Sequence, residues 1–258
     1  EFPNVVGFQE EKYHELAARL FREMVRRTVF ATDNESSRYA LGGVLLEMDG
    51  DKITAVGTDG RRLAKMEGPA HAVGGHQTAN QTTIVPSRAM TLLERAVSDN
   101  DGEIQIAGRG NDVLIRSPRF TIYSRLVEGR FPKWRDVFPR RSDVVKTELS
   151  VGPVHAAVRQ AAIVTSEETR GVDFTFEEGL LVLAGRAADV GQSHIELPIT
   201  YSGPKITIAL DPRFVSDFLR VLDAEKTFTL ELKDSDSAAV CSTDDGYGYV
   251  IMPLARDR

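Results

Sequence analysis

The chain has 258 residues, enough for about two domains that each bury a core of their own. With 41% hydrophobic and 27% charged residues it is too apolar for a disordered chain, and its net charge of −6 excludes a protein that coats nucleic acid over its whole surface, though not a local basic face. The single cysteine, Cys241, has no partner for an internal disulfide; within Ala238-Ala239-Val240-Cys241 it reads as a small hydrophobe on a strand, and nothing requires an oxidising compartment. No apolar run approaches a membrane span and no charged-then-apolar leader is read, so a cytoplasmic protein without membrane partners is expected.

Tyr13, Leu16, Ala17, Leu20, Phe21, Met24 and Val25 recur at helical spacing and predict a first helix over 10–27. Lys12, Arg19, Arg22 and Arg26 follow another side of it, with Arg27 beside them. Glu10, Glu11, Glu15 and Glu23 are interspersed, so this face is either a solvated, salt-paired surface or a cationic one with a task. After the polar stretch Thr32 to Ser37, strands are expected at 41–47, 52–57 and 62–67. Their connectors, Met48-Asp49-Gly50-Asp51 and Thr58-Asp59-Gly60-Arg61, each carry an Asp-Gly pair that supplies the positive φ of a tight turn. Residues 68–81 read as a loop. Ile84-Val85-Pro86-Ser87 then opens a second helix, with Ser87 as N-cap and Met90, Leu93, Ala96 and Val97 on its apolar side. Strands at 103–107, 112–116 and 119–126 follow.

The segment from Phe131 through Pro139, Arg140 and Arg141 to Ser142 is rich in proline and charge and marks a boundary near 140, giving domains of 1–140 and 141–258. Beyond it the grammar repeats. A helix with Val154, Ala157, Val158, Ala161 and Ala162 precedes strands near 172–177, 180–186 and 193–199, and Ile206 to Leu210 leads into a helix that Asp211 caps and Pro212 begins. Strands at 227–232, 237–242 and 247–253 end the chain. An offset of about 125 residues lays Arg88 on Arg213, Leu93 on Phe218 and Val97 on Leu222, which is a duplicated α+β domain rather than a solenoid of short repeats.

Catalytic chemistry leaves little trace. None of His14, His71, His76, His155 and His194 makes a short metal-binding pair, and neither a metal nor a cofactor is expected. His14 and His155 lie near the starts of predicted helices, where a partly exposed surface histidine is common. Neither a nucleophile elbow, a P-loop nor a dinucleotide fingerprint is present, and Gly108-Arg109-Gly110 is a turn between strands.

Four ordered motifs carry a family resemblance. Val56-Gly57-Thr58-Asp59-Gly60-Arg61-Arg62-Leu63-Ala64 resembles the most recognisable motif of the bacterial DNA polymerase III β subunit, the sliding clamp. Arg38 to Val44, Leu126 to Pro132 and Tyr249 to Leu254 resemble that family's upstream strand, the segment ahead of its last domain and its C-terminal end, with weaker likenesses at Arg170-Gly171-Val172 and Tyr201-Ser202-Gly203. The family has three similar domains, and Glu1-Phe2-Pro3-Asn4 resembles the linker entering the second, so the resemblance implies that this chain is the second and third domains.

The resemblance implies an α+β fold of two tandem clamp-type domains, each with two helices on the inner side and antiparallel sheets on the outer side. It implies a non-catalytic processivity factor that, when complete, closes head to tail into a homodimer ring around duplex DNA without reading its sequence. Arg19, Arg22, Arg26, Arg88, Arg95, Arg159 and Arg213 would face DNA phosphates, which position a protein without specifying bases. Partners would be the polymerase α subunit, the clamp loader and other proteins carrying a clamp-binding motif, docking a hydrophobic peptide into a pocket. By motif matching the pocket would use Leu41, Thr58, Gly60, Arg61, Arg62, Leu63, Pro132, Val137, Val250, Met252, Pro253 and Leu254. Asp136, Asp236, Ala255 and Arg61 depart from the family's usual residues and leave the peptide preference open. Ile163 and Val164 match the edge that meets the neighbouring subunit's first domain; without that domain a monomer or a non-native contact is expected. The rival reading is a two-domain α+β enzyme with its active site at the domain junction near Thr58-Asp59-Gly60. A sequence-specific DNA binder finds no recognition-helix motif.

Overall fold

The computed structural model describes residues 7–33, 35, 40–78, 82–98, 100–138, 142–165, 171–187 and 190–255. Glu1 to Asn4, Ser36, Ser37, Arg38, Tyr39, Pro139, Arg140, Arg141 and Arg170, all invoked above, lie outside the described residues. The chain divides into two compact units, one ending at Val137 and also holding Asp245–Tyr247, the other holding Phe138–Asp244 and the chain from Gly248 onward.

The first unit opens with strand β1 (Tyr13–Ala17), which runs directly into helix α1 (Ala18–Thr28). The expected helix over 10–27 therefore begins eight residues late by the periodicity of its own first turns. Within 13–17 the burial alternates, with His14 and Leu16 inward, and the backbone pairs with neighbours on both sides; those ladder bonds override a helical spacing that is only coincidental there. Next come β2 (Gly43–Asp49), β3 (Lys52–Thr58), β4 (Arg62–Pro69), β5 (His71–Val73), β6 (Ile84–Pro86), helix α2 (Ser87–Ala96), β7 (Glu103–Gly108), β8 (Asp112–Arg116), β9 (Thr121–Arg125) and the single turn α3 (Trp134–Val137). Strands pair antiparallel in the orders β5-β1-β7-β8-β9 and β6-β2-β3-β4. β5 lies inside the stretch expected to be a loop, and Ser87 is the first helical residue rather than the cap. Its N–H donates to Gly42 O at 3.0 Å, so a strand-edge carbonyl rather than a side chain satisfies the helix start.

The second unit repeats the order. β10 (Val145–Ser150) runs into α4 (Val151–Ala161), followed by β11 (Val172–Glu177), β12 (Leu180–Ala187), β13 (Gly191–Pro198), β14 (Ile206–Leu210), α5 (Pro212–Arg220), β15 (Thr227–Leu232), β16 (Ala239–Ser242) and β17 (Tyr247–Ile251). The pairing orders β10-β15-β16-β17 and β13-β12-β11-β14 match those of the first unit, where only β5 lacks a counterpart. Asp211 caps α5 as expected, accepting from Arg213 N at 2.9 Å, with Pro212 at the first position.

Each core forms between helices and sheets. In the first unit Phe21, Met24 and Val25 of α1 and Met90 and Leu93 of α2 are buried together with Leu46, Ile53, Ile84, Ile104 and Ile106. In the second, Phe218 stacks on Tyr249 (centroids 5.1 Å apart) and meets Phe228 edge-on at 5.3 Å. Cys241 is buried among these residues, and burial pushes its thiol pKa up to about 12. Among the described residues no helix is long and apolar enough to cross a membrane.

Close approach explains one glycine of the signature motif. A Cβ on Gly57 of β3 would stand 2.2 Å from Thr28 O, the carbonyl at the end of α1, where neither backbone can give way. Gly57→Ala is therefore expected to destabilise the first unit by about 1–3 kcal/mol. A thermal or denaturant midpoint equal to wild type would show that the helix end can retreat.

Candidate functional site

On α1, Arg19, Arg22 and Arg26 stand at i, i+3 and i+7, on the face opposite Phe21, Met24 and Val25. Arg19 and Arg22 are exposed. Arg26 is half-buried and donates to Glu23 Oε2 at 2.8 Å, an oxygen that Arg27 Nε also reaches at 3.0 Å. This face thus carries salt pairing at its C-terminal end and exposed arginines along the rest. A partly exposed i,i+3 pair of this kind adds little to stability. Helix α2 packs beside α1 and carries Arg88 and Arg95 one above the other on its exposed side. In the second unit α4 and α5 pack together likewise, and a surface cleft of about 330 Å³ between them brings Arg159, Arg213 and Ile163 into one lining. Arg213 is held by Asp211 at 2.7 Å. Ile163 is 75% exposed and Val164 half-buried, both in the short turn Ala162–Val164 that ends α4.

The Thr58–Leu63 hairpin is built by its own side chains. Gly60 takes φ +86°, Thr58 Oγ1 donates to Arg62 O at 2.6 Å, and Gly60 N donates back to that hydroxyl at 3.1 Å. Asp59 Oδ1 accepts from Arg61 N (2.9 Å) and Arg62 N (3.0 Å), while its Oδ2 receives Arg62 Nε at 3.0 Å. Arg62 Nη2 continues to Phe30 O at 2.9 Å, and its guanidinium lies 5.3 Å from the Phe30 ring centroid. Arg62 is thereby fixed, and Arg61 beside it is exposed. Leu41 and Thr58 are buried, and Leu63 is 1% exposed, a core position. Pro132 is half-buried and Val137 exposed. In the second unit Val250 is 1% exposed, Met252 43% exposed, and Pro253 and Leu254 half-buried, with Leu254 N donating to Ala209 O at 2.8 Å. Of the departures from the family pattern, Asp136, Asp236 and Ala255 are all exposed.

Sequence reasoning placed Asp59 in its turn but missed that Asp59 and Phe30 together orient Arg62. Asp59 is signalled by its place in an Asp-Gly turn; Phe30, far away in the chain, by nothing. It also missed a cleft of about 710 Å³ in the first unit, between β2 and the segment 130–136, where Glu47 accepts from Trp134 Nε1 at 3.2 Å and Arg135 at 2.6 Å. No group of three or more His, Cys, Asp or Glu side chains among the described residues is arranged to hold a metal ion.

Known proteins share this fold. The family description "DNA polymerase III beta subunit, central domain" fits residues 15–133, and "DNA polymerase III beta subunit, C-terminal domain" fits 135–255. A beta sliding clamp of Pseudomonas aeruginosa is 30% identical over 261 residues, covering 98% of this chain and 68% of that protein. One of Chlamydia pneumoniae is 31% identical over 255 residues with the same two coverages. A crystal structure of a Pseudomonas aeruginosa sliding clamp bound to griselimycin superposes with a TM-score of 0.88 at 29% identity, over 99% of this chain and 68% of that one. Two tandem units of this topology are thus shared with a solved sliding clamp. The chain belongs to the DNA polymerase III β subunit family, the beta sliding clamps, which are non-catalytic processivity factors of DNA replication.

Asp59→Ala would strip the acceptor from two backbone N–H groups and from Arg62 at once. A loss of about 1–3 kcal/mol in denaturant unfolding of the first unit is expected, with Asp59→Asn losing less because it keeps one acceptor oxygen. Equal stability of Asp59→Ala and wild type would contradict this account of the turn.

Proposed function

We propose that this chain acts in the bacterial cytoplasm as the middle (1–140) and C-terminal (141–258) domains of a clamp that encircles duplex DNA and holds the replicative polymerase to it. The observation that carries the DNA-binding part is the pair of adjacent helices α1 and α2. Each buries one face and presents arginines, Arg19, Arg22 and Arg26 on one and Arg88 and Arg95 on the other, on its exposed side. Guanidinium groups on rigid helices, without a motif for reading bases, suit contact with phosphates that permits sliding. Arg159 and Arg213 extend the same role into the second unit. An acidic chain whose helices α1 and α2 each carry more arginine than glutamate repels DNA elsewhere and attracts it there.

For partner proteins the residues are Leu41, Thr58, Gly60, Arg61, Arg62, Leu63, Pro132 and Val137 from the first unit, with Val250, Met252, Pro253 and Leu254 from the second. Exposed Met252 and Val137 supply adaptable apolar surface, and Arg61 a polar group at the rim. The polymerase α subunit, the clamp loader and other proteins with a clamp-binding motif are the partners these residues would meet. Ile163 and Val164, the first of them strongly exposed, are the apolar edge for a neighbouring subunit in the ring.

Two measurements test this. Fluorescence anisotropy of a short duplex across a salt series should give a slope of log K against log salt that becomes shallower when Arg19, Arg22 and Arg26 are replaced by Glu, by about 0.9 for each phosphate no longer neutralised. An unchanged slope rejects the assignment of those arginines. A labelled Gln-Leu-x-Leu-Phe peptide should bind with a Kd on the order of micromolar and bind at least about tenfold more weakly to Met252→Ala. No binding to the wild-type chain would remove the pocket.

A further inference from the structure

The first unit contains a buried pair of imidazoles that the DNA and peptide sites do not use. His14 on β1 is fully buried, against the expectation of a partly exposed surface histidine, because β1 is a strand whose inward positions include residue 14. His76, in the loop between β5 and β6, is 7% exposed. Their Nδ1 atoms are 2.7 Å apart.

The outer partners fix where the protons sit. His14 Nε2 is 2.9 Å from Gly50 O, which only accepts, so that nitrogen carries hydrogen and a neutral His14 offers a bare Nδ1. Gly108 N–H only donates and reaches His76 Nε2 at 3.3 Å, so this nitrogen is bare and a neutral His76 carries its proton on Nδ1, aimed at His14. Two neutral rings, one tautomer each, thus complete an unbroken relay: Gly108 N–H to His76, His76 to His14, His14 to the Gly50 carbonyl.

The relay spans the unit. His14 and Gly108 belong to one sheet, Gly50 to the turn between β2 and β3 of the other, and His76 to a loop that Thr78 also fastens, donating from its N–H to Met48 O at 2.9 Å. A second proton on His14 Nδ1 would face the N–H of His76. A second proton on His76 Nε2 would face the N–H of Gly108. Either breaks a link and leaves a charge in a buried place. We infer that the His14–His76 pair is an acid-sensitive latch between the two sheets of the first unit, closed when both rings are neutral and opened by one proton, which releases the loop around residues 74–78.

The surroundings act in both directions. Asp49 and Asp51, flanking Gly50, favour a proton on His14, and His71 on β5 opposes it. The residues opposite His14 in β7 and β5, Ile106 and Ala72, carry no charge, and the stem of Lys12 lies against Gly74. Burial outweighs the carboxylates and holds both imidazoles below the usual histidine range, with the two rings also disfavouring each other's charge. Because the folded values are lowered, the unfolded chain takes up protons first. The latch is intact above pH about 6.5 and weakens as pH falls below it, by at most about tenfold per pH unit for the one proton that opens it.

Nitrogen-detected NMR of the histidine-labelled chain between pH 8 and pH 5 tests this without any substitution. His14 should appear as the Nε2–H tautomer and His76 as Nδ1–H, both titrating below the ordinary histidine value. In parallel, the intrinsic-rate-corrected protection of the Gly108 amide should fall up to about tenfold per pH unit below pH about 6.5, while amides of β15 in the second unit do not follow. His76→Phe should leave Gly108 weakly protected at every pH. An Nε2–H tautomer of His76, titration of either ring at or above the ordinary value, or pH-independent Gly108 protection in the wild-type chain would each overturn the inference.

Discussion

Phe21, Met24 and Val25 on α1 and Phe214, Val215 and Phe218 on α5 bury one face of their helices so fully that the opposite face is left to charge. The antiparallel sheets provide the apolar floor that makes this burial favourable, at roughly 25 cal/mol for each Å² of apolar surface removed from water. With one face locked, the rotation of the helix about its axis is set, and so is the direction in which Arg19, Arg22 and Arg26 project. The cationic surface is thus a consequence of the core beneath it. A substitution that turned α1 by one residue would move the arginines as surely as deleting them.

The two units reach the same topology with different interiors. The second relies on an aromatic cluster, Phe218 between Tyr249 and Phe228, with the Tyr249 hydroxyl donating to Phe214 O at 3.0 Å. The first buries Phe21 among Met, Leu and Ile side chains and adds β5 and the imidazole relay. Duplication therefore conserved pairing order and helix placement while packing chemistry diverged, as expected where interior volume and polarity pattern matter more than residue identity.

Much of this could be read from the chain itself. Asp211-Pro212 marked the start of α5, the Asp-Gly turns fell where Gly50 and Gly60 take positive φ, and the offset of about 125 residues was visible from the second helix of each half. The errors have local causes. Residues 13–17 satisfy a helical spacing and an alternating one equally, and only pairing with β5 and β7, remote in sequence, decides between them. Ser87 looked like a cap because the carbonyl of Gly42, which serves its N–H, lies many residues upstream. At the candidate site, the side chains of the Thr58–Leu63 turn followed from motif and turn chemistry, whereas the Phe30 carbonyl that anchors Arg62 is a tertiary fact with no sequence signature.

The lone thiol has a practical corollary. Cys241 is sealed within the second core and stays protonated far above neutral pH, so maleimide reagents find no competing nucleophile of this kind in the folded chain. The molecule is in effect a ready-made background for single-site fluorophore attachment: one engineered surface cysteine would take the dye alone, and its distance to a second label could be followed by energy transfer with no prior removal of native sulfhydryls.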